Sequence, residues 1–370
     1  MRCQSISALL ALGGGLLAML LTTPLLAENW ADRTQVNGFF SGRYSVTDEQ
    51  EFLLASRDND GINNDGSFYD TKLGINITSH VKDWVTLATL LFARDQENDF
   101  KVHAEWFFAD FSLNDNFDVR AGKIKYPVGL VNEYVDVGVA YPWIQAPVVI
   151  YLDSRLGPQV TRDAYSGADL LWNLTAGDWT WGVDLFGGSV DLEQMMVKKA
   201  VGITGRVNWD DKVIFQASTY AGKMKTDTAD PSLSPTMVAT MAAMNSKQHE
   251  AYVAGVKVDW NDWLVYTEVA KVEMDFKTKE GVAAGDSDSW YATLGHQFGK
   301  WLLHLTYQKW SRDNNDGQRI STLGLNYRLD NNVVIKGEGS RIKTDGKGLF
   351  ISTPSNDTTR LYSLAVNLSF

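Results

Sequence analysis

Residues 362–370, the last nine of the chain, read Tyr-Ser-Leu-Ala-Val-Asn-Leu-Ser-Phe. Apolar residues occupy every second position from Tyr362 to Phe370, and Ser363, Asn367 and Ser369 lie between them. Successive side chains of a β-strand point to opposite faces, so this spacing predicts a strand with one apolar and one polar face.

The same alternation recurs beyond Glu28 in segments of about 10 residues, the length of a tilted strand that crosses a bilayer. Short joints rich in Asp, Asn and Gly, which favour tight turns, separate some of these segments. They lie at Ser79–Asp83, Asn114–Asn116, Ala176–Asp178, Asp210-Asp211, Asn261-Asp262, Gly299-Lys300 and Asp330–Asn332. Long polar joints separate the others, near 47–67, 95–100, 128–162, 189–199, 224–249, 275–288, 312–318 and 345–358.

The two kinds of joint alternate strictly, which predicts about sixteen antiparallel strands with short turns on one rim and long loops on the other. Bulky aromatic residues flank the short turns, as expected where strands cross a membrane–water interface. They are Trp84, Phe117, Trp179, Trp209, Trp260, Trp263, Phe298 and Trp301. The predicted fold class is therefore all-β, a transmembrane antiparallel β-barrel of about 16 strands with an aqueous lumen. A large soluble β protein is the alternative.

The amino end predicts export. Arg2 precedes an apolar stretch from Ile6 to Leu26, so residues 1–27 are interpreted as a signal peptide and 28–370 as one barrel domain. An uncleaved N-terminal anchor is the alternative. Cys3, the single cysteine among 370 residues, lies in the signal, which excludes disulfides and cysteine-ligated metals from the mature chain. The net charge of −11 argues against nucleic-acid binding.

The longest joint runs from Pro127 to Arg162 and is unusually apolar, with Tyr141-Pro142-Trp143 and Ala146–Tyr151 inside it. A long apolar loop is unstable in solvent, so we expect it to fold into the lumen and narrow it. An external lid, or a loop that clasps a neighbouring subunit, is the alternative.

Three features resemble Gram-negative outer-membrane porins, in particular the phosphate-selective O/P-like porins and the general trimeric porins. They are the stretch Arg120–Leu130 followed by Asn132-Glu133, the long loop after the fifth strand, and the terminal Phe370. The resemblance implies a sixteen-stranded, homotrimeric diffusion channel of the outer membrane that is constricted by the third loop, and it does not imply phosphate specificity. Small hydrophilic solutes, anionic ones among them, are the expected range. The resemblance also implies contact with outer-membrane lipid and lipopolysaccharide, and insertion by the barrel-assembly machinery through Phe370. Strand 84–94, apolar on both faces, is expected at the subunit contact.

A charged side chain that faces lipid costs about 2–4 kcal/mol at the bilayer centre, so mid-strand charges should face the lumen. We expect a transverse field in which acidic residues of the long loop face basic residues of the wall. The predicted pore-lining and constriction residues are Arg43, Lys72, Arg120, Lys123, Lys125, Glu133, Asp136, Asp153, Arg155, Arg206, Arg328 and Lys336. Lys123 and Lys125 are out of phase with Phe117, which predicts a β-bulge at Gly122 or a protein-covered outer face. Solvated wall residues or cross-strand pairs are the plainer interpretation of each position.

No enzyme activity is predicted, since the five histidines are scattered and no nucleophile motif is present. The acidic stretch Asp58–Gly66 offers Asp58, Asp60 and Asp65 as calcium ligands, or is a solvated outer loop. No other cofactor is expected. A surface receptor or adhesin and a barrel-embedded enzyme remain alternatives to a channel.

Overall fold

The computed structural model describes residues 32–54, 61–96, 99–151, 164–192, 195–226, 235–274, 286–312, 316–350 and 352–370. The predicted signal peptide lies outside these residues. Sixteen strands are present among them. They are β1 (Thr34–Thr47), β2 (Lys72–Lys82), β3 (Val85–Gln96), β4 (Asp99–Asn114), β5 (Phe117–Lys125), β6 (Ala164–Ala176), β7 (Trp179–Leu192), β8 (Met195–Trp209), β9 (Val213–Thr226), β10 (Gln248–Trp260), β11 (Trp263–Met274), β12 (Ser287–Phe298), β13 (Trp301–Arg312), β14 (Gly317–Arg328), β15 (Val333–Asp345) and β16 (Thr358–Ser369).

Each strand pairs with the next in the chain, and β16 pairs with β1, so the sheet closes into a barrel. All the pairings are antiparallel. The amide of Phe370 donates to the carbonyl of Gly38 at 2.9 Å, and the Gly38 amide donates back at 2.7 Å, so the seam is paired to the last residue. Closure leaves the sheet no free edge, which a membrane-spanning sheet requires. The predicted barrel and strand number are confirmed.

All seven predicted short turns join consecutive strands. Asp210, Asp211, Asn261 and Asp262 have φ between 50° and 68°. Two consecutive residues with positive φ form the type I′ hairpin turn, whose twist matches that of paired strands. Asp and Asn tolerate this conformation because their short side chains hydrogen-bond to the nearby backbone.

Two of the predicted long joints are wrong. β3 ends at Gln96 and β4 begins at Asp99, while β7 ends at Leu192 and β8 begins at Met195. Polar residues at 95–100 and 189–199 suggested loops, but the described parts of both stretches belong to strands. A run of polar residues indicates a loop only where the strand would otherwise face apolar surroundings. Here the polar segments remain extended because each is paired with the neighbouring strand.

The outward face is apolar, as the alternation predicted. Val201, Leu294, Leu305, Leu323 and Leu364 are each more than two fifths exposed. Near the short turns the exposed residues are aromatic: Trp84, Trp179, Trp260, Trp263, Phe298 and Trp301. A second, shorter row of exposed aromatic side chains lies toward the loop rim, at Tyr252, Trp290, Tyr307 and Tyr362. Among the described residues, no helix is long and apolar enough to cross a membrane.

One helix, α1 (Pro235–Met244), lies in the joint between β9 and β10. Its Met241 and Met244 are buried. The carbonyl of Met241 accepts a hydrogen bond of 2.7 Å from the Thr226 hydroxyl, which fixes the helix to the end of β9.

The main apolar cluster lies inside the barrel. It joins the loop after β5, including Tyr126, Trp143 and Tyr151, to inward residues of the wall such as Tyr220 and Tyr266. The long loop therefore folds into the lumen, as predicted, and its apolar composition is explained by this burial.

Candidate channel constriction

The loop between β5 and β6 is described from Tyr126 to Tyr151, and it includes 3-10 turns at Asn132–Tyr134 and Gly138–Ala140. Polar side chains of the wall form hydrogen bonds with the loop backbone and with the indole nitrogen of Trp143. The Thr204 hydroxyl donates to the carbonyl of Pro127 at 2.6 Å. The indole nitrogen of Trp143 donates to the hydroxyls of Thr293 and Thr306, both at 3.0 Å.

Lys336 is the strongest of these anchors. Its fully buried amine donates to the carbonyl oxygens of Gly138, Tyr141 and Trp143, at 2.6, 2.5 and 2.7 Å. The three donors of an ammonium group are thereby all used. Lys336 was predicted as a constriction residue; the structure places it beneath the loop, where it satisfies carbonyls that would otherwise be buried without partners.

Two wall carboxylates bind loop amides. Glu338 accepts a hydrogen bond of 2.7 Å from the amide of Ile144. Glu268 accepts from the amide of Leu130 at 2.7 Å, from the Tyr291 hydroxyl at 2.6 Å and from the Tyr151 hydroxyl. Burial raises the pKa of Tyr151, so its phenol keeps the proton that it donates.

A buried charge cluster joins the same loop to strands β1 to β5 and the residues before β2. Its members are Arg43, Asp70, Lys72, Arg94, Glu105, Lys125 and Asp136. Asp136, on the loop, lies 2.9 Å from the amine of Lys125, 3.5 Å from that of Lys72 and 3.8 Å from the guanidinium of Arg94. Each member is less than one tenth exposed. Arg43, Lys72, Lys125 and Asp136 therefore hold the loop to the wall, and their predicted role in solute selection stays a prediction.

The predicted bulge at Gly122 is wrong. Gly122 pairs regularly with Phe108 and with Gly167, whereas the bulge lies in β4, where Glu105 has no partner between Ala104 and Trp106. Gly122 has φ of 143°, and a Cβ there would come within 2.4 Å of the carbonyl of Phe107. Close approach of the two backbones, and not an inserted residue, therefore requires glycine here.

The two lysines that follow consequently separate. Lys123 lies opposite Phe107, which is 53% exposed, so both point outward. Its amine donates to the carbonyl of Ala104 at 3.2 Å. Lys123 is thus not near the constriction, which corrects its prediction. Lys125 is the last residue of β5, and because the chain leaves the wall there, its amine reaches Asp136.

The water-exposed charges of the loop region lie over β4 to β8. Arg206 contacts Glu133 of the loop at 2.9 Å, and each side chain is 38% exposed. Arg120 lies 3.1 Å from Asp110, with side chains 26% and 23% exposed. Burial is the main reason why the pKa of Tyr134, a loop residue near Arg206, is raised to about 12. Both signs of charge therefore face water beside the loop.

Arg328 lies on the other side of the loop, toward the short turns. With Lys257, Asp259 and Asn326 it lines a cavity of about 230 Å³ that also touches Tyr141. Arg328 and Lys336 share this cavity, although the Lys336 amine is occupied by loop carbonyls.

Four of the predicted site residues lie outside the described residues: Asp58, Asp60, Asp153 and Arg155. Asp65 is described, and its amide and carboxylate are both hydrogen-bonded to the side chain of Asn63. Within the described ranges, no group of three or more His, Cys, Asp or Glu side chains is placed to hold a metal ion.

Four members of these clusters, Asp70, Arg94, Glu105 and Asp110, are not among the predicted site residues. Arg94 lies on the strand interpreted as apolar on both faces, although it shares the phase of the inward Phe92 and Leu90. Glu105 escaped notice because the bulge breaks the alternation around it. Asp110 is in phase with the inward Phe108, and this spacing could have identified it.

No protein-family model matches the chain, and no curated protein matches it. Solved structures do share its fold. OmpF of Salmonella typhi, in complex with daunomycin, gives a TM-score of 0.60 at 12% identity over 91% of this chain and 97% of that one. An anion-selective porin from Comamonas acidovorans gives 0.58 at 9% identity over 91% and 99%. The trimer form of OmpT, an outer-membrane protein of Vibrio cholerae, gives 0.58 at 11% identity over 92% and 100%.

Likeness at 9–12% identity establishes the fold. Together with the closed sheet, its apolar outward face and its aromatic belts, that likeness gives the chain the architecture of outer-membrane β-barrels. More particularly, it has the sixteen-stranded porin fold, with the loop after β5 inside the lumen.

Proposed function

We propose that the chain forms a water-filled diffusion channel for small hydrophilic solutes. The observation that carries this proposal is the loop after β5, which is fixed inside a closed sixteen-stranded barrel. A barrel of this size has a lumen too wide for wall side chains to fill. A loop anchored in the lumen narrows the passage, and solutes can cross it without movement of the loop.

The charges beside the loop suit a size- and charge-dependent filter. Arg206 and Glu133 are more than one third exposed, and Arg120 and Asp110 are about one quarter exposed. Rows of opposite charge across a narrow aqueous passage orient polar solutes and disfavour apolar ones. Anionic solutes belong to the proposed range, since Arg328 and Lys257 lie on the short-turn side of the loop.

The assembly that we propose is a homotrimer with early strands at the contact. Outward positions of β2 and β3 carry Leu73, Ile75, Ile77, Leu87 and Leu91. Phe370 is proposed as the recognition residue for the insertion machinery, and lipid with lipopolysaccharide as the surroundings. Chemical cross-linking in mild detergent tests the oligomer, and recovery of monomer alone would contradict it.

Single-channel recording of the refolded full-length chain tests the channel. We expect discrete current steps in planar bilayers, with a size limit found by adding neutral sugars of increasing mass. Correct folding is checked by the heat-dependent shift of the barrel in gel electrophoresis. A folded barrel that inserts but carries no current would refute the channel and favour a receptor, an adhesin or an enzyme.

A further inference from the structure

The outward face of β13 to β16 carries a basic patch near the loop rim. It consists of Lys309, Arg319, Arg341, Lys343 and Arg360. Each lies in phase with outward apolar residues of its strand, such as Leu305, Leu323 and Leu364. A basic patch on the outside of an acidic chain calls for a physical reason.

The patch places like charges directly opposite one another. Arg319 is paired across the sheet with both Lys309 and Lys343, and Arg341 is paired with Arg360. Facing side chains at such positions have Cβ atoms about 5 Å apart, and like charges there destabilise the sheet. An anion bound between them would remove that cost.

Internal carboxylates neutralise part of the patch. Asp345 contacts Arg319 at 2.6 Å, and Asp48 contacts Arg360 at 3.3 Å. For Lys309, Arg341 and Lys343, no carboxylate of the described chain lies within ion-pair distance. Three cations of the patch therefore remain available to a ligand.

An apolar groove lies directly below these cations. It has a volume of about 1160 Å³ and is lined by Leu305, Tyr307, Leu323 and Tyr362, with Gly339 and Arg341 beside them. Glycine at 339 leaves room on the outward surface between larger side chains. Apolar walls that open outward suit a hydrocarbon chain better than a polar solute.

The height of the patch agrees with a lipid headgroup. Lys309 and Arg360 each lie two residues from an exposed aromatic residue, Tyr307 and Tyr362, on the same face. Two residues span about 7 Å along a strand, and aromatic belts mark the membrane–water interface. The cations thus lie just beyond the belt, at the level of phosphate groups.

A second outward groove provides an internal comparison. It lies over β8 to β12, has a volume of about 710 Å³, and contains Lys271 and Asp288. Lys271 is already paired with Glu273. Lys271 and Asp288 are the charged residues of its lining and carry opposite charges, so an apolar groove alone does not account for the basic patch.

We propose that the outward face of β13 to β16 binds a diphosphorylated glycolipid of the outer leaflet. Its phosphates would lie on Lys309, Arg341 and Lys343, and an acyl chain would fill the groove below. Four adjacent strands span about 14 Å at 4.8 Å per step, which is wider than one phosphate and suits a headgroup with two.

The early-strand contact proposed above does not supply partners for this face, since the outward positions in the described parts of β1, β2 and β5 carry no carboxylate that could pair with the patch. The proposal concerns the outside of the barrel and therefore stands apart from conduction through its lumen.

Native mass spectrometry of the full-length barrel in mild detergent tests the site with diphosphoryl lipid A as the probe. We expect the double variant Arg341→Gln/Lys343→Gln to bind about tenfold more weakly than wild type, because it loses charge-assisted phosphate contacts. The matched control is Lys123→Gln/Lys271→Gln, two outward lysines of β5 and β11 that face no other cation across the sheet, and it should leave the affinity unchanged. Monophosphoryl lipid A should bind wild type more weakly than the diphosphorylated form.

Several results would overturn the proposal. They are undiminished binding by the Arg341/Lys343 variant, an equal loss in the control, and equal affinity for monophosphoryl lipid A. A variant that changes oligomeric state while lipid binding is unchanged would assign the patch to a protein contact instead. Heat-dependent gel mobility verifies that each variant is folded before binding is measured.

Discussion

The amine of Lys336 lies 2.6 Å from the carbonyl oxygen of Gly138, although 198 residues of sequence separate them. Gly138 itself is held close to the wall, since a Cβ there would come within 2.1 Å of the Asn367 side-chain oxygen. The loop and the wall are therefore in close contact at these positions, so substitutions of these wall residues should displace the loop.

Replacement of Lys336 by Met should destabilise the folded barrel by about 3 kcal/mol, because three buried loop carbonyls lose their donor. The loop should also become more sensitive to protease. Unfolding midpoints in urea and limited proteolysis measure both effects. Lys257→Met, on the same side of the loop, is the control and should change little. Equal stability of Lys336→Met and wild type would show that the anchor contributes nothing.

Two substitutions of Glu268 distinguish the contribution of its hydrogen bonds to stability from that of its charge. Glu268→Gln keeps an acceptor for the Leu130 amide and should cost about 1 kcal/mol, whereas Glu268→Ala leaves that amide and two phenols without an acceptor and should cost about 3 kcal/mol. Thermal unfolding of both variants in the same detergent measures the difference. Identical losses for the two would argue that the carboxylate charge itself matters.

Arg206→Glu should shift the permeability ratio toward cations, by about fivefold at low ionic strength, since a positive group beside the passage becomes negative. Reversal potentials in salt gradients measure the ratio. Arg341→Glu makes the same substitution on the outward face and should leave the ratio unchanged. If both variants behave alike, or neither changes the ratio, Arg206 does not face the conducting path.

Lys123 and Lys125 should respond differently to the same substitution. Lys125→Glu places a third carboxylate beside Glu105 and Asp136 in a buried cluster and should cost about 4 kcal/mol. Lys123→Glu alters an outward side chain and should leave ion selectivity unchanged. Denaturation and reversal-potential measurements on both variants test the pair. A selectivity change in Lys123→Glu would contradict its outward placement.

The repeating part of this fold could be predicted from the sequence because a membrane barrel repeats one rule in every strand. Alternation from Tyr362 to Phe370, and the Asp and Asn residues of the short turns, specify face and register locally. The joints at 95–100 and 189–199 were mistaken because polar residues can continue a strand where a paired neighbour holds it.

The constriction was less predictable because its contacts join distant residues. Alternation indicates that Lys336 points inward, but it contains no information about which loop carbonyls will meet that amine. The bulge at Glu105 likewise depends on how β3 and β4 pair, and it reverses the phase of every residue beyond it. Such features are set by the three-dimensional fit of loop and wall.

The long hairpin of β3 and β4 has a consequence for access to the outer mouth. A strand of 16 residues, as in β4, rises about 40 Å when tilted by about 40°, against an apolar band of about 25 Å. Part of that hairpin therefore extends beyond the apolar band of the bilayer on one side of the barrel. The hairpin of β7 and β8, with strands of 14 and 15 residues, has a similar length, so the loop rim rises at two places around the barrel and its height is uneven.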